Sequence, residues 1–276
     1  MGDTRLKLEK DLRIRVTRFL ASKASHFPNR QRAIFSLTER IRKQNWEAVL
    51  FGGTLRDLMI YGGSRSPRDV DIVIAGVVAD QIESLFADCV VRRTRFGGLH
   101  LQYNGWMFDV WSLNDTWALR NSGQSRWGFQ DLPKTTFLNV EAVAADLIPR
   151  PGKARHIHAN GFFEAVSNRV LDINYEENPF PILCVVRTLI TAARLQYSIS
   201  PRLCRYLLHY GRSSSPEEMV DVQIKHYGMC KRTAEEFHSW LRFVGAEHRG
   251  AGTKGLTLPV AKSRQLELFE EWTPAW

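Results

Sequence analysis

Cysteine is scarce in this chain: Cys89, Cys184, Cys204 and Cys230 lie far apart and form no C-x-x-C pair. Neither a zinc cluster nor a disulfide framework is indicated, and all four read as ordinary thiols. Long apolar runs are missing too, since no window approaches the ~18 consecutive apolar residues that a membrane span requires. The opening stretch MGDTRLKLEKDLRIRVTRFL has no apolar segment of the secretory kind, because basic residues recur through it. A cytoplasmic protein with no membrane partner is expected. No internal repeat is present. Acidic residues fall short of basic ones, 29 Asp and Glu against 38 Lys and Arg, which leaves a formal net charge of +9. Such an excess attracts polyanions when it is clustered, as in nucleic-acid binders, or simply marks a generally basic surface.

What remains is a globular composition, 44% hydrophobic and 24% charged over 276 residues. That length suits two packed units. Residues 4–22 and RQRAIFSLTERIRKQ read as helices, WEAVLFGG as a short buried strand, TLRDLMIYGG as a helix stopped by glycine, and DVDIVIAG as a second strand. GLHLQYNGWMFDVW carries Asn104-Gly105 between two alternating runs, the pattern of a two-residue type I′ hairpin. That turn pairs Tyr103 with Trp106, Gln102 with Met107, Leu101 with Phe108 and His100 with Asp109. Asp109 then shares a face with His100, Gln102, Met107 and Trp111. FLNVEAVAADLI is apolar enough to be buried, and PRPGKARHIHANGFFEA reads as an exposed hairpin region in which His156 and His158 alternate. From Pro179 onward helical patterns dominate. A linker-like tail then leads to a last amphipathic piece, LELFEEW.

Chemistry concentrates in LFGGTLRDLMIYGGSRSPRDVDIVIAG, residues 50–76. Asp69 and Asp71, two apart on a strand, point to one face, so both carboxylates can reach one cation or a pair. Oxygen-only ligation of this kind suits Mg²⁺. Asp109, on the polar face of an adjacent hairpin strand, is the candidate third carboxylate of a two-metal site. Gly52 and Gly53 remove side chains where a strand turns into a helix, which lets a triphosphate approach the backbone and the helix N-terminus.

The order of these elements resembles the G-G-x-x-R-D…D-x-D signature of polymerase-β-like nucleotidyltransferases, and within them the head domain of bacterial poly(A) polymerases and class II CCA-adding tRNA nucleotidyltransferases. The likeness continues in MFDVWSL for the third carboxylate strand, in TTFLNVEAVAADL, with Asn139 at the family's asparagine, and more weakly in VVRTLITAARLQYSIS. The family's E-D-x-x-R base template has no clean counterpart: ENPFPILCVVR offers Glu177, Asn178 and a displaced Arg187. The resemblance implies an α+β fold: a polymerase-β-like palm, a mixed sheet with flanking helices, followed by a helical neck and C-terminal region. The division expected is an N-terminal helical extension over 1–45, the head over 46–175 and the helical part over 176–276.

It further implies a Mg²⁺-dependent enzyme using two ions and transferring a nucleoside monophosphate from an NTP to an acceptor hydroxyl, foremost an RNA, and in particular a tRNA, 3′ end. Asp69, Asp71 and Asp109 would be catalytic and hold metal. Gly52, Gly53, Thr54, Arg56, Asp57, Arg120, Asn139 and Arg187 would serve the nucleotide. A toxin or defence-type enzyme that nucleotidylates a tRNA or a protein is the alternative. A noncatalytic RNA-binding or regulatory module on the same scaffold is the third reading.

Overall fold

The computed structural model of the chain describes residues 2–21, 28–65, 67–123, 126–248 and 255–259. The LELFEEW piece and most of the preceding linker lie outside them. The chain divides into two compact units, Met1–Asn168 with Ile173–Asn178, and Arg169–Asp172 with Pro179–Trp276. The fold class is the expected one, a mixed α+β unit followed by a helical one.

The first unit runs α1 (Gly2–Leu20), α2 (Pro28–Lys43), β1 (Ala48–Phe51), α3 (Gly53–Tyr61), β2 (Asp69–Ile74), α4 (Ala79–Leu85), β3 (Val90–Arg93), β4 (Leu99–Tyr103), β5 (Trp106–Ser112), α5 (Trp117–Arg120), β6 (Val143–Asp146), β7 (Ile157–Ala159) and α6 (Phe162–Asn168). Its seven strands form one sheet in the order β3-β4-β5-β2-β1-β6-β7. Only the central β2–β5 pair is parallel; the other neighbours are antiparallel.

Alternation along the strands assigns the two faces. Leu50, Val70, Ile72, Ile74, Leu101, Phe108 and Val110 point into the main core, where helices cover them. Val49, Val73 and Ala144 point the other way into a smaller core, closed by Leu113, Leu119 and Leu132 with half-buried Phe51, Trp111, Trp127 and Phe129. Asp69 and Asp71 alternate with Val70 and Ile72, so they stand on the face of the smaller core.

Helices α1 and α2 pack into this unit and do not stand off it. Leu12 and Val16 of α1 and Ala33, Ile34, Leu37 and Ile41 of α2 are fully buried in the main core. These two helices and the sheet thus share one hydrophobic interior.

The second unit contains β8 (Val170–Leu171) and β9 (Ser198–Ile199), paired in parallel, and α7 (Pro181–Leu195), α8 (Pro201–Gly211), α9 (Pro216–Tyr227) and α10 (Ala234–Glu247). Ser200, Ser215 and Thr233 cap α8, α9 and α10 by accepting the N–H three residues on, and α7, α8 and α9 open on proline. Gly211 permits the approach of α8 to α10, because a Cβ there would come within 2.7 Å of a Leu241 methyl. Among the described residues no helix is long and apolar enough to cross a membrane.

Candidate active site

The Asn104-Gly105 turn takes positive φ at both central residues, 48° and 72°, as a type I′ turn requires. The β4–β5 register is therefore the expected one, Tyr103 against Trp106 through His100 against Asp109. β5 in turn lies parallel to β2 with Asp71 beside Asp109 and Asp69 beside Met107. Asp71 and Asp109 are thus abreast on neighbouring strands, about 4.8 Å apart at the backbone, and Asp69 stands one side-chain repeat further on. All three share a face and are half-buried.

β1 completes the arrangement from the other side. Phe51 pairs with Asp71, and the next residue, Gly52, turns the chain into α3 at φ 65°, ψ −123°, a conformation that only glycine adopts freely. A Cβ at Gly52 would lie 3.8 Å from Asp71 Oδ2, so a bare backbone stretch abuts the carboxylate. The turn is held from three directions. Its N–H donates to the Val143 carbonyl of β6 at 3.0 Å. The Thr54 hydroxyl donates to the Asp69 carbonyl at 3.0 Å, tying the start of α3 to the start of β2. Arg56, 7% exposed, donates to Asp57 Oδ1 at 2.7 Å and to Glu141 Oε1, which stands just before β6.

Asp69 and Asp109 each meet a nitrogen-bearing side chain of the chain's own. The exposed Arg68 donates to Asp69 Oδ2 through Nε at 3.1 Å and Nη2 at 2.5 Å. His100 Nδ1 contacts Asp109 Oδ1. Burial raises the Asp109 carboxyl above the ordinary carboxylate range; His100 opposes the rise and the like charge of Asp69 adds to it.

Among the described residues no three His, Cys, Asp or Glu side chains converge as a ready metal cage. The donor set nevertheless fits Mg²⁺. It is oxygen-only, one ion needs only one or two protein carboxylates beside water and substrate phosphate, and two adjacent carboxylates repel until a cation neutralises them.

The remaining expected residues are placed as follows. Asp57 lies on α3 beside Arg56. Asn139 opens the short 3₁₀ turn Asn139–Glu141, immediately before β6. Arg120, at the end of α5, is exposed and 3.6 Å from Asp115. Arg187 is half-buried on α7 of the second unit. The sheet and its β1–α3 turn thus gather Gly52, Gly53, Thr54, Asp69, Asp71 and Asp109, with Arg56 and Asp57 directly behind the turn. Sequence reasoning missed Glu141 and Arg68. Nothing local to Glu141 marks it as the partner of an arginine 85 positions away, whereas Arg68 could have been noticed as a cation adjacent to Asp69.

Solved structures match this architecture. The Thermotoga maritima CCA-adding enzyme complexed with tRNA matches with a TM-score of 0.57 at 15% identity, over 86% of this chain and 55% of that one. A CCA-adding enzyme in complex with CTP gives 0.58 at 16% identity, over 84% and 54%. A tRNA nucleotidyltransferase complexed with a primer tRNA and an incoming ATP analog gives 0.54 at 15% identity, over 76% and 61%. The chain spans about half to three-fifths of the length of these proteins. At such identity the likeness is one of fold. No family model matches the sequence, and no curated protein does.

Proposed function

We propose that the protein is a nucleotidyltransferase that moves a nucleoside monophosphate from an NTP to the 3′ hydroxyl of an RNA, with tRNA the foremost acceptor. The observation that carries this reading is the register: Asp71 and Asp109 abreast in the one parallel strand pair of the sheet, Asp69 on the same face, and the Gly52 backbone against Asp71. Three proteins of the same fold were solved with tRNA, with CTP and with an ATP analog, which supports these substrates.

In this reading Asp69 and Asp71 would hold two Mg²⁺ ions and Asp109 would share in holding one of them. Bound there, the ions would neutralise the triphosphate and acidify the acceptor hydroxyl. The chain's own residues do the positioning. The Gly52–Gly53 turn and the N-terminus of α3 receive the phosphates, because the turn has no side chain to exclude them and the helix end favours anions. Arg56 and Asp57 hold that turn in place from behind, a role the buried contacts of Arg56 favour over the phosphate contact suggested by the sequence. The acceptor oxygen bonds to the α-phosphorus, the α–β bridging P–O bond breaks, pyrophosphate leaves with its electron pair and the hydroxyl proton passes to solvent. Catalysis rests on alignment and charge neutralisation.

Incubation with each α-labelled NTP, Mg²⁺ and total RNA, followed by resolution of RNA and protein on separate gels, tests the proposal. Label in a tRNA-sized band supports it. Label in a protein band supports the toxin or defence-type reading, and no label in either supports a noncatalytic module.

A further inference from the structure

The strand pair that sets Asp109 beside Asp71 also sets His100 directly across from Asp109 on the other neighbouring strand. Both side chains are three-quarters buried or nearly so, at 21% and 27% exposure, and His100 Nδ1 contacts the carboxylate oxygen Oδ1. Arg68 differs. It is 46% exposed, sits next to Asp69 in sequence, and reaches Oδ2 of that residue through Nε and Nη2. An exposed arginine of this kind costs little to displace, whereas a histidine built into the sheet opposite its acceptor is fixed by two backbone ladders.

We infer that His100 is a positioning residue for Asp109: its Nδ1–H donates to Oδ1, fixes the carboxylate rotamer and leaves Oδ2 free for a divalent cation shared with Asp69 and Asp71. The neutral Nδ1–H tautomer is sufficient for this. The arrangement has the form of carboxylate ligands elsewhere, whose unliganded oxygen is held by a second group that orients it. The register contributes as well, because a hairpin slipped by one residue would send His100 to the opposite face from Asp109.

This inference rests on the reading of Asp109 as a metal ligand, and the experiment separates the two. Mn²⁺ binding to the full chain is measured by electron paramagnetic resonance for the wild type, Asp109→Asn, His100→Phe and His100→Asn, with a thermal melt of each. Weaker Mn²⁺ binding by Asp109→Asn supports the ligand reading; unchanged binding overturns that reading and the inference with it. Given that loss, the inference expects His100→Phe to bind Mn²⁺ at least about tenfold more weakly. It expects His100→Asn, whose amide N–H₂ occupies the place of Nδ1–H, to recover most of the affinity. In turnover assays with saturating Mg²⁺ the phenylalanine variant should lose kcat more than it raises KM for NTP. Should His100→Phe fail to fold, His100→Gln, with its donor one methylene further out, must show the same weakening. Mn²⁺ affinity equal to wild type in folded His100→Phe or His100→Gln would leave the ligand reading standing and overturn the inference.

Discussion

Replacing Arg56 by methionine isolates the contact behind the β1–α3 turn. The Arg56 side chain is 9% exposed, and its partners Glu141 and Asp57 are 10% and 13% exposed. Removing the guanidinium leaves two carboxylates with little water to compensate them. Breaking a buried pair from one side costs about 3–5 kcal/mol, far above the roughly 0–1 kcal/mol of a surface pair. In a domain of this size that corresponds to a fall in Tm of about 10 °C. The double variant Arg56→Met, Glu141→Met removes the more buried of the two carboxylates along with the guanidinium, leaves only Asp57, and should regain at least half of the loss. Urea unfolding of the wild type, both single variants and the double variant forms a double-mutant cycle. A loss below about 1 kcal/mol for Arg56→Met, or a double variant no more stable than the single, would refute the buried-pair account and return Arg56 to the surface role of a phosphate ligand.

Three further outcomes follow from particular contacts. Gln223 is fully buried on α9; it accepts from the N–H groups of Lys231 and Arg232 and donates to the Arg232 carbonyl, so Gln223→Leu strands three backbone groups and should cost about 2–4 kcal/mol in thermal or urea unfolding. A change below about 0.5 kcal/mol would mean that the loop after α9 finds other partners. His158 is held below the ordinary histidine range by burial and by His156, against the opposing pull of Asp146 and Asp131. The unfolded chain then takes up its proton more readily than the folded one, so stability falls as pH drops through the unfolded value near 6.5; His158→Asn should flatten the loss between pH 7 and 5, and an unchanged profile would contradict this. Without a matching Asp-Arg template, base choice falls to stacking and shape, so kcat/KM for the four NTPs should span less than about two orders of magnitude, and strict use of one NTP would reveal a template elsewhere.

How much of this was legible in the sequence depends on the range of the forces involved. The hairpin was, because Asn104-Gly105 dictates its own turn and the turn dictates the register, which by itself set His100 against Asp109. The same-face geometry of Asp69 and Asp71 was, because a strand has period two. The packing of α1 was not. Basic residues recur through it, yet Arg13 donates to the Arg155 carbonyl and pairs with Glu9, and Arg15 donates to the Leu58 and Met59 carbonyls and pairs with Asp11, while Leu12 and Val16 lie in the main core. Local charge does not show which arginines will satisfy distant backbone carbonyls. Nor did any local pattern announce that Asn174 would clip the Pro133–Phe137 segment, through bonds to the Pro133 and Thr136 carbonyls and an N–H to that of Phe137. Such pairs exist only once the sheet has brought remote segments together.

The central claim is that three carboxylates on one sheet face carry nucleotide transfer. It is tested most directly by comparing the wild type with the Asp69→Ala, Asp71→Ala double variant in transfer of label from an NTP to tRNA across a Mg²⁺ titration, with a thermal melt of each protein. Both aspartates are half-buried beside apolar residues that point to the other face, so the fold should survive their loss. The account predicts Mg²⁺-dependent transfer by the wild type and none by the folded double variant. Retention of more than a few per cent of the activity by that variant would contradict it.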